Sequence, residues 1–292
     1  MNSTTLPRVP RASNTEAALR WCRQNRSLSI GCAVVILLAI VCFVVPLLSS
    51  TDPNAVDANH RLESMSAKHP FGTDQYGRDI LARFFHGGQV SLIVGLTSAA
   101  AATVFGLIVG ILAGYVKWLD QILMRIADGL LAIPGVLLGI GLMASLGPAI
   151  ENVIIAMAVV STPTMARLVR SRVISVKEET YIEAIKLQRP SFLRLVCLHI
   201  VPSILTTVVV QATFVFADSV IAEATLSFLG AGVPPPDASW GNMLSDGKTL
   251  LFSAWWVAVF PALGLVTAVV GLNVAGDGLR DMLDPKTSRR LR

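Results

Sequence analysis

Long apolar stretches dominate the chain, and six of them are long enough for membrane-spanning helices. A spanning helix needs about 20 apolar residues, because it rises about 1.5 Å per residue through about 30 Å of hydrocarbon. Unpaired backbone groups cannot face lipid, so these stretches must be helices rather than an open sheet. We predict spans at 28–48, about 90–115, about 126–146, about 150–168, about 204–224 and about 254–275.

The composition supports this membrane interpretation. Of the 292 residues, 53% are hydrophobic and 15% are charged, whereas a soluble domain has about 25% charged residues. So much apolar surface excludes intrinsic disorder and argues against a water-soluble globule. The first apolar run is too long for the core of a signal peptide, so we expect it to be retained. The predicted fold class is an all-α polytopic membrane protein with six transmembrane helices.

Basic residues orient the predicted spans. Most of the 24 Lys and Arg residues fall on the side of the N-terminal tail, and such residues concentrate in cytoplasmic loops. Both termini are therefore expected in the cytoplasm, and the net charge of +5 needs no nucleic-acid partner. The predicted segments are the cytoplasmic tails 1–27 and 276–292, the membrane domain 28–275, outer loops at about 49–89 and 225–253, and a cytoplasmic loop at about 169–201.

Motifs for catalysis or metal binding are missing from the sequence. The four cysteines form no C-x-x-C pair, and the histidines at 60, 69, 86 and 199 show no i, i+4 spacing. No Walker A, G-x-G-x-x-G, H-E-x-x-H or G-x-S-x-G pattern occurs. We therefore expect no catalytic residue, no metal site and no cofactor in this chain. If transport consumes ATP, another chain must bind it.

The cytoplasmic loop between the fourth and fifth spans contains a predicted short helix. Ser175 and Glu178 have the spacing of a capping box, and Pro190 disfavours an α-helical conformation at the residue before it, so the helix is expected to end at about 188. Tyr181, Ile182 and Ile185 share one face. Such a helix either lies on the membrane or its own spans, or fits a groove of a cytoplasmic partner.

The segment Tyr181-Ile182-Glu183-Ala184-Ile185, followed by His199-Ile200-Val201-Pro202, resembles the EAA loop of bacterial ABC importer permeases. In that family the loop is a coupling helix that docks into an ATPase subunit. The family's usual glycine is Arg189 here, so we expect the chain to make this break differently. The resemblance assigns ATPase coupling to Glu178, Glu179, Tyr181, Ile182, Glu183, Ala184, Ile185, Lys186 and Arg189.

Three further blocks narrow the resemblance: 69–81 (HPFGTDQYGRDIL), 224–230 with 239–244, and 276–281. In this order they resemble the C-type permease subunit of dipeptide and oligopeptide (peptide/nickel family) ABC importers. The resemblance implies a type I ABC importer permease fold in the bacterial inner membrane that forms half of a translocation pathway. It also implies a second permease, two ATP-binding subunits that carry ATP and Mg, and an extracytoplasmic binding protein. Nickel or haem cargo, a secondary transporter and a membrane enzyme remain as alternatives.

The predicted outer segments contain charged and aromatic side chains. Arg78 can pair with Asp74 or Asp79. This segment is either a structural turn or, by resemblance, part of the surface where the binding protein delivers cargo. The resemblance places Trp240 on the same side. We expect the three tryptophans of these segments (Trp240, Trp255 and Trp256) to lie in an aromatic belt at the membrane–water interface.

Polar groups within spans are costly and often functional. The fifth span carries Gln211, Asp218 and Glu223, and the first two lie seven residues apart on nearly one face. All three are candidate residues of the translocation pathway; Asp218 either faces this pathway or pairs with a partner helix, and Glu223 is expected near the outer interface. The repeat Gly106-x-x-x-Gly110-x-x-x-Gly114 predicts a close helix contact, within this chain or with a second permease.

Overall fold

The protein is a helical bundle. A computed structural model describes residues 21–48 and 51–283, and the regular elements within them are helical. A 3-10 turn, Ala58–His60, lies before the second helix. The helices are α1 (Arg26–Leu48), α2 (Ile80–Tyr115), α3 (Lys117–Ala132), α4 (Gly135–Leu146), α5 (Ile150–Lys177), α6 (Thr180–Leu187), α7 (Phe192–Phe228), α8 (Trp240–Gly247) and α9 (Trp256–Leu283).

Five of these helices, α1, α2, α5, α7 and α9, are each long and apolar enough to span a membrane, and α3 with α4 gives a sixth span if the pair is counted together. The predicted all-α membrane fold is thereby confirmed. The third predicted span is not one straight helix, because α3 and α4 meet at 96°. The break lies at Ile133 and Pro134: proline lacks an N–H and disfavours the α conformation of the preceding residue, and Ile133 is extended.

Several helices extend about ten residues beyond the predicted spans. Helix α2 begins at Ile80, about ten residues before the predicted span, because the Asp79 side chain caps it by accepting a hydrogen bond from the Ala82 N–H at 2.8 Å. Helix α5 continues past residue 168 to Lys177. The predicted loops at 49–89 and 169–201 therefore include large helical parts.

The glycine repeat lies where α2 packs against α5 within this chain. A Cβ atom on Gly106 would lie 2.5 Å from Met165 Cγ, and one on Gly110 would lie 2.5 Å from Val169 Cβ. One turn further, Gly114 faces Val173. Because both residue numbers rise together along the contact, the two helices run parallel. Packing within the chain is therefore the correct one of the two alternatives.

The remaining spans surround this pair. Helix α7 packs against both α2 and α9, and α9 packs against α1. Two ends of the bundle carry the candidate functional residues. We call the end formed by residues 51–79 and 229–255 the loop end, and the end formed by residues 115–117 and 178–192 the α6 end.

Candidate functional site

The turn between α5 and α6 differs from the predicted capping box. Ser175 lies inside α5, and its Oγ donates to the Ser171 carbonyl at 3.1 Å. Helix α6 begins at Thr180, after Glu179, whose side chain makes no capping hydrogen bond. The capping-box prediction is wrong, because the long α5 includes the serine that was expected to start a new helix.

One face of α6 packs on the membrane helices of its own chain. Ile182 is completely buried in a cluster that contains Val173, Leu195 and Ile200. Ile185 is half-buried against the same cluster. The Tyr181 hydroxyl lies 2.7 Å from Ser203 Oγ on α7. The apolar stripe predicted from the sequence therefore serves mainly to fix α6 to α5 and α7.

The opposite face of α6 is open. We define the exposed face of α6 as Thr180, Glu183, Ala184 and Leu187, all of which are exposed. Leu187 is 85% exposed, so this face carries one large apolar side chain that its own chain leaves uncovered. The sequence analysis missed Leu187, although its helical position about 140° from the buried Ile182 was available as a signal. Glu178, Glu179, Tyr181, Gln188 and Arg189 are exposed around this face, and Lys186 is half-buried.

Lys177 links three helices at the α6 end. Its Nζ donates to the carbonyls of Gly114 at 3.0 Å and Tyr115 at 3.2 Å, which are among the free carbonyls at the C-terminus of α2. The ammonium also lies 5.0 Å from the centre of the Tyr115 ring. In turn, Lys186 Nζ donates to the Lys177 carbonyl at 3.0 Å. These bonds join α2, α5 and α6.

Arg189 ends this segment in a left-handed conformation, with φ of +49°. This is the backbone region that glycine adopts without cost, and glycine is the residue that the family resemblance leads one to expect there. The expectation that Arg189 would make the break differently is therefore wrong. Arg189 adopts the left-handed conformation that glycine would allow there, although arginine carries a Cβ atom.

Replacing Arg189 with glycine should therefore stabilise the fold. A non-glycine residue in the left-handed region costs roughly 1–2 kcal/mol, so Arg189→Gly should raise the free energy of unfolding by about 1 kcal/mol once the added freedom of the unfolded chain is subtracted. Denaturant unfolding of the purified protein in detergent measures this. The matched control is Gln188→Gly, where φ is −80° and no gain is expected. A lower stability of the Arg189 variant than of the control would contradict the prediction.

At the loop end, Arg78 joins two acidic residues. Its Nε donates to Asp74 Oδ2 at 2.6 Å, and its Nη2 lies 3.3 Å from Asp246 Oδ2 on α8. Asp74 also accepts hydrogen bonds from the N–H groups of Tyr76 and Arg78. Of the two proposed partners of Arg78, Asp74 is the one that pairs. Asp74 and Arg78 are buried, so they hold the loop end together rather than offer contacts on its surface.

Asp79 has a different structural task. It caps α2, and its Oδ2 lies 2.7 Å from His69 Nδ1. Close by, the buried Arg83 donates to Asn54 Oδ1 at 3.0 Å. The start of α2 is thus bonded to the preceding loop at several points.

Two of the tryptophans are core residues. Trp240 is completely buried, and its Nε1 donates to the Phe84 carbonyl at 3.0 Å. Trp256 is also buried, and its Nε1 donates to the Thr73 carbonyl at 3.2 Å. The interfacial prediction is wrong for both tryptophans, because the chain at the loop end folds over them and this contact is not visible in the sequence. Trp255 is 45% exposed.

A cavity of about 450 Å³ opens at the loop end, between α4, the end of α7 and α8. Met143, Ser227 and Asp246 contribute to its lining. Burial raises the pKa of the Asp246 carboxyl, while Arg78 and Arg83 act in the opposite direction. Asp246 therefore connects this cavity to the Asp74–Arg78 pair.

The polar residues of the fifth span lie in different environments. Glu223 is completely buried, and its two carboxyl oxygens accept hydrogen bonds from Ser91 Oγ at 2.8 Å and Ser227 Oγ at 2.7 Å. Asp218 is exposed on the outside of the single chain, and Gln211 is partly exposed. Glu223 is therefore enclosed by its own chain, whereas Asp218 makes no buried contact within it. Glu223 hydrogen-bonds two helices together inside the bundle. Asp218 and Gln211 remain accessible to a neighbouring molecule.

Ion pairs and thiols complete the inventory of reactive groups. Asp120 and Asp128 of α3 pair with Arg170 and Arg167 of α5. Within residues 21–48 and 51–283, no group of three or more His, Cys, Asp or Glu side chains is placed to hold a metal ion. Cys42 is buried, and the four cysteines are free thiols. The ion pairs brace α3 against α5.

The membrane-length helices define a multi-pass membrane protein. Residues 102–289 match the family described as "binding-protein-dependent transport system inner membrane component", and the chain belongs to this family. It is a multi-pass inner-membrane permease subunit of an ABC importer.

Several named proteins are similar over nearly their whole length. A putative peptide transport system permease protein of Brucella abortus is 39% identical over 97% of this chain and 96% of its own. The dipeptide transport system permease protein DppC of Alkalihalophilus pseudofirmus is 40% identical over 92% of this chain and 89% of its own. The probable D,D-dipeptide transport system permease protein DdpC of Escherichia coli is 38% identical over 92% and 91%.

A solved structure shares the fold. The inward-facing MetNI methionine ABC transporter contains a chain that matches with a TM-score of 0.57 at 21% identity. The match covers 68% of this chain and 95% of that one. The core of the bundle therefore has the fold of an ABC importer permease, as predicted.

Proposed function

We propose that this chain forms half of the translocation pathway for dipeptides or oligopeptides, and that the exposed face of α6 docks on a separate ATP-binding subunit. The observation that carries the docking part is Leu187, which is 85% exposed on a helix whose other face buries Ile182 completely. A leucine held in this way is stabilised when a partner covers it. The peptide cargo is supported by the names of the relatives, which are peptide and dipeptide permeases.

The complete importer contains further chains. One α6 in this chain implies a second permease that contributes the other half of the pathway and a second docking helix. Two ATP-binding subunits bind ATP and Mg and perform the hydrolysis, so this chain carries out no covalent step. Asp218 and Gln211 lie on an open side of α7, which suits the pathway between two permeases.

The α6 end is cytoplasmic and the loop end faces outwards. The basic residues of the sequence support this orientation, since most of them belong to the side of α6. Both chain termini are then cytoplasmic. An extracytoplasmic binding protein meets the loop end, where Asp74, Arg78, Asp79 and Trp240 hold the loops in place for it.

The mechanism follows from the way α6 is held. When the ATP-binding subunits close, they push on the exposed face of α6. Ile182 and the Tyr181–Ser203 contact bind α6 to α5 and α7, so the push tilts these spans rather than bending α6 away. The tilt changes the pathway between its inward-facing and outward-facing forms.

Leu187→Glu should separate this chain from the ATP-binding subunits. A charge at a docking contact loses apolar burial and adds a desolvation cost, for an expected loss of at least 2 kcal/mol, or about 30-fold in affinity. The complex is purified through a tag on this chain, and the co-purifying ATPase is quantified. In proteoliposomes containing the binding protein, trialanine uptake should fall with it, and the wild type should take up trialanine rather than Ni²⁺.

Two variants control this experiment. Leu187→Met keeps an apolar side chain and should retain the ATPase. Leu251→Glu changes another exposed leucine, 49% exposed at the loop end, and should leave the ATPase bound. Full retention of the ATPase by Leu187→Glu would refute docking through this face, and uptake of Ni²⁺ alone by the wild type would refute the peptide cargo.

A further inference from the structure

Helix α2 connects the two ends of the molecule. With 36 residues it is about 54 Å long, because an α-helix rises about 1.5 Å per residue. At the loop end its start is fixed by the Asp79 cap, by the His69–Asp79 contact and by the Arg83–Asn54 hydrogen bond. Its packing against α5 through close glycine contacts leaves little room for independent bending. A displacement at one end of α2 is therefore transmitted along the helix to its other end.

At the α6 end, Lys177 is the last residue of α5 and makes hydrogen bonds to both α2 and α6. Its ammonium bonds the carbonyls of Gly114 and Tyr115 in the last turn of α2, and its own carbonyl accepts from Lys186 of α6. Bonds between an ammonium and the carbonyls at a helix C-terminus are charge-assisted and favoured by the helix dipole. By contrast, α6 meets α7 through Ile182 and Tyr181.

The surroundings of Lys177 make this link geometrically specific. The Tyr115 ring lies below the ammonium at 5.0 Å and packs edge-on against Phe192, the first residue of α7, at 4.9 Å between ring centres. The ends of α2, α5 and α6 and the start of α7 therefore meet around one side chain. Shifting α6 without shifting α2 would break the hydrogen bonds of Lys177.

We propose that Lys177 is a positioning residue that transmits displacement between α6 and α2, so that engagement of the binding protein at the loop end controls ATP hydrolysis at the α6 end. This inference rests on the proposed function and deepens it. Lys177 touches neither the solute nor the nucleotide. It acts by keeping the C-terminus of α2 in register with α6.

The test uses Lys177→Met, which keeps the length of the side chain and removes its donors. The complex is purified through a tag on this chain and reconstituted in proteoliposomes, with and without the binding protein and trialanine. ATPase co-purification and hydrolysis without the binding protein should match the wild type. Stimulation by the loaded binding protein should fall about fivefold or more, the usual scale of coupling between two sites. Lys177→Arg should restore at least half of it.

Two more variants make the result decisive. Lys186→Met removes the other end of the link and should reduce stimulation in the same way, whether or not Lys177→Met folds. Arg172→Met removes an exposed cation of α5 and should behave as the wild type. Unchanged stimulation in both lysine variants, or loss of the ATPase itself from Lys177→Met, overturns the role of Lys177. A wild-type complex without any ATPase would instead overturn the proposed function.

Discussion

Replacing Gly110 with leucine should prevent the chain from folding into a stable bundle. Even a Cβ atom at this position would lie 2.5 Å from Val169 Cβ and 2.6 Å from the Ala166 carbonyl oxygen. The carbonyl belongs to the backbone of α5 and cannot rotate away, so α2 and α5 must separate. Overpacking typically costs 1–3 kcal/mol, and separating the two helices adds the loss of contacts at Gly106 and Gly114. We expect a total loss of about 4 kcal/mol or more.

The measurement is the yield and melting temperature of the monodisperse protein in mild detergent. Gly129→Leu is the matched control, since nothing lies within 4 Å of a Cβ atom built on Gly129 in α3. It should leave the yield unchanged. A Gly110→Leu protein that melts at the temperature of the control would show that the α2–α5 contact does not limit stability.

The spans were predictable because membrane insertion depends on apolar length, which is visible in the sequence. Their ends were harder to predict. Asp79 starts α2 within a polar segment, so an apolar window misses its first ten residues. The bend of 96° between α3 and α4 was likewise not accessible, because Pro134 signals a break and says nothing about the angle.

The candidate site was predicted in outline. The sequence located the short helix and its apolar stripe, yet the pattern could not tell whether Ile182 faces the partner or its own chain. That answer depends on where Val173, Leu195 and Ile200 lie, which is tertiary information. Leu187 was not predicted for the same reason, because its exposure depends on how the rest of the chain packs around α6.

Residues far apart in sequence account for the remaining errors. Asp246 reaches Arg78 across 168 positions, and Trp256 reaches Thr73 across 183. No local spacing encodes such contacts. From the sequence we expect only polar loops at the loop end, whereas the structure shows loops that are hydrogen-bonded to one another over buried tryptophans.

Glu223→Ala should destabilise the half of the bundle next to the loop end, because Glu223 also joins residues far apart in sequence. Its carboxyl oxygens accept from Ser91 on α2 and Ser227 on α7. Those two hydroxyls in turn accept from the Trp240 N–H at 3.3 Å and the Val233 N–H at 3.0 Å. Alanine removes the acceptor of both hydroxyls and leaves a buried void. Each unsatisfied buried group costs about 1–3 kcal/mol, so the two hydroxyls together should cost about 2–6 kcal/mol.

The chemistry of the pair of serines predicts an order among variants. In Glu223→Gln one amide oxygen still accepts from one serine, while the amide nitrogen can only donate, so one hydroxyl loses its acceptor and the loss should be about half as large. Asp218→Ala is the control, since Asp218 is an exposed carboxylate of the same helix and its loss should change stability by less than about 0.5 kcal/mol. Thermal unfolding in detergent gives the ranking, and faster amide exchange at residues 233 and 240 locates the defect. A Glu223→Ala protein as stable as the Asp218 variant would mean that α2, α7 and α8 are held together by apolar packing alone.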